Sequence, residues 1–247
     1  MSVKSAQKVS NPRVTVVTVN YNNSAGLEKT INSVINQTYD NYQYLIVDGG
    51  STDGSVSVID SFHPAEIDAV AEKDEGIYHA MNKAIAIAEG EWLLFMNSGD
   101  EFVDSTSLNF AMSKRTPTTD VIYANWIYAN SGKHINASKE RMAVIHQSVI
   151  YKKSLHDVYG TYVTSNNVTI SDYIFFLSIA GTEWNYHDAP LSICDESGVS
   201  SKISHFYQKV SIDFIFERKS KIMLLIILIF YPSYKFFKNL IVGLKIH

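Results

Sequence analysis

Between Val14 and Asp100 the chain passes through one unit repeatedly: a strand-like apolar run, a cluster of polar turn residues, and a segment with helical spacing. Residues 14–19 (Val-Thr-Val-Val-Thr-Val) read as a buried strand, broken by Asn20-Tyr21-Asn22-Asn23-Ser24. Leu27, Ile31, Val34 and Ile35 follow at helical spacing, with Ser24 as the expected N-cap. A second strand over 44–47 ends in Asp48-Gly49-Gly50-Ser51-Thr52-Asp53-Gly54 and leads to a short helix containing Val56 and Ile59. A third, over 67–71, ends near Asp74 and is followed by a helix marked by Ile77, Met81, Ala84, Ile85 and Ala88, with Gly90 as its stop. A fourth, over 92–96, ends in Asn97-Ser98-Gly99-Asp100. Alternation of this kind predicts an α/β fold with a mostly parallel, doubly wound sheet and right-handed crossovers. The second half is less regular and predicts a mixed sheet: strands over 121–128, 147–151 and 184–193, and a helix over 172–180.

In open parallel sheets ligands bind beyond the carboxyl ends of the strands. The polar clusters fall at those ends, with Asn20 and Asn22 after the first strand, Asp48 and Asp53 after the second, Asp74 after the third and Asp100 after the fourth. For any one of them, loop formation is an equally good explanation. Four acidic ends in succession argue for more. Two carboxylates about 6 Å apart repel by roughly 3 kcal/mol at an effective dielectric near 20. Such a rim calls for a cation or donor groups, and oxygen ligands favour Mg²⁺ or Mn²⁺. The chain has no G-x-G-x-x-G, no G-x-x-x-x-G-K-[ST] and no G-x-S-x-G, which argues against a dinucleotide dehydrogenase, a P-loop NTPase and an α/β-hydrolase esterase.

Charge separates the chain into a body, residues 1–201 at −10, and a tail, residues 202–247 at +6. The net −4 gives no reason to expect nucleic acid as a partner. The single cysteine, Cys194, excludes an internal disulfide. The polar first twelve residues lack the apolar core of a signal peptide, so a cytoplasmic location is expected. In the tail, Arg218, Lys219 and Lys221 precede the uncharged stretch 222–234, and Lys235 and Lys238 follow it. As a helix that stretch reaches about 20 Å, short of a roughly 30 Å hydrocarbon core. Burying each further lysine would cost about 2.5–3.5 kcal/mol. The preferred reading is a helical segment, 218–245, lying on the inner face of the cell membrane. Packing against the body or a second subunit, and a spanning helix, are the alternatives.

Four motifs taken in order carry a family resemblance: Thr18-Val19-Asn20-Tyr21-Asn22, the 47–55 stretch around Asp48 and Asp53, Glu72-Lys73-Asp74-Glu75-Gly76-Ile77-Tyr78-His79-Ala80-Met81-Asn82-Lys83, and Phe95-Met96-Asn97-Ser98-Gly99-Asp100. Over about residues 13–200 the chain resembles family 2 glycosyltransferases of the GT-A fold, in the subgroup with colanic-acid and other surface-polysaccharide transferases. The resemblance implies a nucleotide-sugar donor, a glycan acceptor and a divalent Mg or Mn cofactor, and a tail on the membrane surface would suit an acceptor sugar carried on a polyprenyl diphosphate. It implies that Asn20, Tyr21 and Asn22 line the nucleotide pocket, that Asp48 holds the base or ribose with Asp53 supporting its loop, and that Asp74 touches the nucleotide. Asp100 stands where the family's D-x-D motif ends and would bind the metal. Asn97-Ser98-Gly99-Asp100 stands in place of two flanking aspartates; Asn97 or Ser98 would contribute little charge, leaving a single assured carboxylate there. Asp172 matches the catalytic base; the alternative is a plain helix cap. His146, followed by Gln147, would border the donor or acceptor sugar; it also reads as a polar residue at a strand start. Residues 196–200 resemble the segment that closes over the diphosphate, or an ordinary turn. The function implied is an inverting transfer to an acceptor hydroxyl. Two alternatives are a non-catalytic nucleotide-sugar-binding scaffold at the membrane and a sugar nucleotidyltransferase. The latter usually has a Gly-rich basic loop that Asn20-Tyr21-Asn22-Asn23 lacks.

Overall fold

The computed structural model describes residues 13–62, 67–165, 167–195 and 203–220, together with Ile222 and Leu225. The chain divides into two compact units, Met1–Glu196 and Ser197–His247. In the first, β1 (Val14–Asn20), α1 (Ser24–Ile35), β2 (Tyr42–Asp48), α2 (Ser55–Ser61), β3 (Asp68–Ala71), α3 (Ile77–Ile87) and β4 (Trp92–Phe95) follow the predicted alternation. After them come β5 (Glu101–Phe102), α4 (Ser107–Ser113), β6 (Val121–Tyr128), β7 (His134–Ile135), β8 (Val149–Lys152), α5 (Leu155–Tyr159), α6 (Ser171–Ser178) and β9 (Trp184–Cys194). The second unit contains α7 (Ile203–Ile215), whose end is held where Asp213 pairs with Arg218 and Lys219.

Among the described residues the strands form one sheet in the order β3-β2-β1-β4-β8-β6-β9-β5, with β7 beside β6. The first four strands are mutually parallel. β8 runs antiparallel to both neighbours, so the second half is mixed. The period of two explains the two-sided core. Val14, Val16, Tyr44, Ile46, Trp92, Leu94 and Met96 pack with Leu27, Ile31 and Val34 of α1 and Leu108, Ala111 and Met112 of α4. The intervening residues, including Val17, Leu45, Leu93 and Phe95, are equally buried on the opposite face. β1 is central, and the order reverses beside it, between β1 and β4, where such sheets bind ligands.

Three local expectations change. Asn23, not Ser24, caps α1, its side chain accepting from the Gly26 N–H at 3.2 Å. The segment predicted as a strand over 147–151 begins instead with a 3₁₀ turn, His146–Ser148, which aims His146 and Gln147 away from the ladder. Gly90 is not the stop of α3, which ends at Ile87. A Cβ at Gly90 would lie 2.4 Å from the Thr15 backbone N, so the position is reserved for close passage over β1. Its N–H donates to Thr15 Oγ1 at 2.9 Å. Gly90→Ala should therefore lower unfolding free energy by about 1–3 kcal/mol through overpacking, measured by urea denaturation.

Candidate active site

The carboxyl ends of β1 and β2 are tied together by Asp48, which is fully buried. Its Oδ2 accepts from Asn20 Nδ2 at 2.6 Å and Ser51 Oγ at 2.7 Å. Its Oδ1 accepts from the N–H groups of Gly50 at 3.1 Å and Ser51 at 2.8 Å. Asn22, at φ +50, completes the double loop: its N–H donates to Ser51 Oγ and its Oδ1 accepts from the Thr52 N–H, both at 2.8 Å. Asp53 joins two helix starts, accepting from the Ser24 N–H at 2.7 Å and from Ser55 Oγ at 2.6 Å. The Ser55 hydroxyl is the main reason its carboxyl is held below the ordinary range. Asp74 reaches the same loop: a Cβ at Gly49 would sit 2.5 Å from its Oδ2, and its Oδ1 accepts from the Gly76 N–H at 2.9 Å. Tyr21, 65% exposed, stands out from this frame.

The β4 loop is pinned from beneath by Thr30 of α1. Its hydroxyl donates to the Asp100 carbonyl at 2.7 Å and accepts from the Gly99 N–H at 2.9 Å. Gly99 sits at φ +103, which lets 97–100 close as a turn with the Asp100 N–H on the Asn97 carbonyl at 2.9 Å. Asn23 Nδ2 donates to the Ser98 carbonyl at 3.0 Å, which links this turn to the β1 loop. The Asp100 side chain is nearly buried and its Oδ2 accepts from Gln147 Nε2 at 3.0 Å. Burial pushes its carboxyl up from the ordinary value, against the Gln147 bond. Asn97 Oδ1 is buried and has no hydrogen-bond partner among the described residues.

Asp172 lies in the first turn of α6. Tyr78 Oη donates to its Oδ1 at 2.8 Å, and His146 Nδ1 is 2.8 Å from its Oδ2. Burial pushes the Asp172 carboxyl up, but the hydrogen bond from His146, with that from the Tyr78 hydroxyl, outweighs it and holds the group below its ordinary value. Burial and the neighbouring carboxylate push Tyr78 up, so it remains a donor. On its other side His146 Nε2 is 2.8 Å from Asn97 Nδ2.

The predicted residues thus assemble on one rim in two joined groups: Asn20, Asn22, Asp48, Asp53 and Asp74 on one side, Asn97, Asp100, His146 and Asp172 on the other. One expectation from the sequence is corrected. The four acidic tips do not form a shared carboxylate cluster; among the described residues no three His, Cys, Asp or Glu side chains gather as a metal site. Donor groups already satisfy Asp48 and Asp53.

The sequence model of Glycosyl transferase family 2 matches residues 15–176, from β1 to α6. The chain belongs to family 2 of the glycosyltransferases. The span includes every site residue named above. Among family relatives, a PGL/p-HBAD biosynthesis glycosyltransferase of Mycobacterium bovis is 25% identical over 162 residues, covering 61% of this chain and 63% of the relative. The chain therefore spans less than two thirds of that relative's length. A Bacillus subtilis protein with the provisional name teichuronic acid biosynthesis glycosyltransferase TuaG is 33% identical over 94 residues, 37% of each chain. Two solved structures share the GT-A fold. S. aureus TarS 1-349 in complex with UDP-GlcNAc matches at TM-score 0.67 and 16% identity, covering 85% of this chain and 67% of that one. The mannosyltransferase PcManGT of Pyrobaculum calidifontis, in complex with GDP-Man and Mn²⁺, matches at 0.65 and 19%, covering 88% and 67%.

Two members of the site escaped the sequence reading. Tyr78 was visible only as part of a motif at a helix start, and Thr30 only as a helix residue. Both act through partners on distant segments, which spacing alone does not reveal.

A second histidine, His156, lies beneath α6. It stacks on Phe175 at 4.2 Å between ring centroids and is bonded to Tyr151 Oη and the Gly160 carbonyl. Burial pushes its pKa down from 6.5. The unfolded chain therefore takes up this proton first as pH falls. The stability it contributes is complete above about pH 6.5 and is lost toward the lower folded value. Urea midpoints should fall as pH drops below 6.5, and His156→Gln should flatten that slope; His187, shifted the same way by burial, supplies the remainder.

Proposed function

We propose that this family 2 glycosyltransferase is an inverting enzyme. It moves a sugar from a nucleoside-diphosphate sugar, with UDP as the first choice, onto an acceptor hydroxyl. Asp172 accepts the acceptor's proton as that oxygen bonds to C1 of the sugar, and the C1–oxygen bond to the diphosphate breaks on the opposite face. The observation that carries this reading is the Asp172 carboxylate, charged and held at both oxygens, one histidine away from the turn that carries Asp100. Asn20, Tyr21, Asn22, Asp48, Asp53 and Asp74 build the nucleotide side, with Asp48 and Asp53 acting through the loop they brace.

Asp100 and Asn97 suit a divalent cation. One offers a buried carboxylate, the other a buried oxygen with no partner among the described residues. So small a protein donor set fits an Mg²⁺ or Mn²⁺ ion whose shell is completed by diphosphate oxygens. When bound, the cation offsets charge on the departing diphosphate. The solved relative with GDP-Man and Mn²⁺ supports that choice.

The relatives named for PGL/p-HBAD and teichuronic acid biosynthesis support a role in surface glycan synthesis. With them, the basic apolar segment 218–245 supports a polyprenyl-linked acceptor at the cytoplasmic membrane face. Most of that segment, and residues 196–200, lie outside the described residues. No helix among the described residues is long and apolar enough to cross a membrane.

The test is release of nucleoside diphosphate by the purified protein from a panel of UDP- and GDP-sugars, with Mn²⁺ and with EDTA. Mn²⁺-dependent release from one donor class is expected. No release from any donor, with nucleotide binding intact, would leave a binding scaffold.

A further inference from the structure

Given that transferase reading, we propose that His146 is a positioning residue that couples the base to the donor side through the amide of Asn97. The Asp172 carboxylate only accepts hydrogen bonds, so the His146 nitrogen facing it at 2.8 Å must carry a proton at Nδ1. In the neutral ring Nε2 is then an acceptor. Only the Nδ2 side of Asn97 can face it at 2.8 Å; the reversed amide would set two acceptors together. The Asn97 carbonyl oxygen is thereby turned away from the histidine. It is the buried Oδ1 that has no partner among the described residues, in the same turn as Asp100. Gln147, the next residue, holds the Asp100 carboxylate at 3.0 Å. One 3₁₀ turn, His146–Ser148, thus sets the Asn97 and Asp100 side chains of the 97–100 loop, while its histidine also holds the base. The acceptor oxygen that Asp172 presents to His146 dictates which face of Asn97 meets the donor.

The two bonds of the ring can be removed separately. The shorter amide introduced by His146→Asn falls near the place of Nδ1, and the longer amide introduced by His146→Gln falls near that of Nε2. His146→Asn should keep the Asp172 contact and raise the donor KM by about tenfold or more, with the smaller change in kcat. His146→Gln should keep the Asn97 contact and lower kcat by about tenfold or more, with the smaller change in donor KM. His146→Ala should lose both. Binding of UDP with Mn²⁺, measured by calorimetry, should weaken in the Asn variant and hold in the Gln variant. Melting temperatures of all three, taken without ligand, separate this from a folding defect, which would move KM and kcat together in every variant. If the Asn and Gln variants fail alike, or if donor KM is unchanged in both, the coupling is overturned while the transferase reading stands. If the wild-type protein turns over no nucleotide sugar, the transferase reading falls first and the coupling falls with it.

Discussion

Replacing Asp172 by asparagine is expected to reduce turnover by about 10²- to 10⁴-fold, the range for removing a positioned general base. Binding of nucleoside diphosphate should stay near the wild-type level. The split follows from the geometry. In Asp172→Asn the amide carbonyl oxygen would still accept from His146 Nδ1 and the amide nitrogen would face Tyr78 Oη, which can accept, so His146 and Asn97 keep their orientation. What is lost is the negative charge and the lone pair that takes the acceptor's proton. The nucleotide side, centred on Asp48, Ser51 and Asn20, shares no hydrogen bond with Asp172. Single-turnover release from the donor, set beside calorimetry with UDP and Mn²⁺, reads both quantities. Unchanged turnover in the purified variant removes Asp172 from the role of base. The acidic limb of the wild-type pH profile should lie low, because His146 and Tyr78 hold the carboxylate below its ordinary value in spite of burial.

The fold was largely legible because its first half is repetitive. The apolar runs that became β1, β2 and β4 are buried on both faces, so they show no alternation and read as continuous apolar segments between turn signals. The second half was harder. Strand β9 pairs with β6 through register shifts at Asn125, and β5 and β7 have two residues each, too short for any periodicity to register. At the site, the family resemblance singled out Asp100 and Asp172, but it does not say how the charges are balanced. From the sequence, the carboxylates call for a cation. The protein instead directs four donors at Asp48 and three at Asp53, several of them backbone N–H groups that carry no sequence signature. Asp100 is the exception: it is buried, with its pKa raised, so its local environment does not favour the charge it carries.

That exception makes Asp100→Asn the most informative substitution on the donor side. A carboxyl whose folded pKa is raised lowers stability once both states are ionised; the penalty is full above the folded pKa and absent below 3.8, the unfolded value. At pH 7.5, well above the unfolded value, the wild-type protein in EDTA therefore carries this penalty. The substitution removes it, and the new amide still accepts from Gln147 through its carbonyl oxygen. The variant should melt at a higher temperature than the wild type in EDTA, while losing about 10²-fold or more in turnover, since a cation at a departing diphosphate contributes several kcal/mol. Adding Mn²⁺ with UDP should reverse the order of melting temperatures, because the ligands stabilise only the protein that binds them. A site kept at some cost in stability is expected where function requires an ill-solvated charge. Full activity of the variant in EDTA would refute the metal role of Asp100. A lower melting temperature for the variant in EDTA would show that Asp100 serves the fold, with its charge already balanced by Gln147 and the Asp195 backbone N–H.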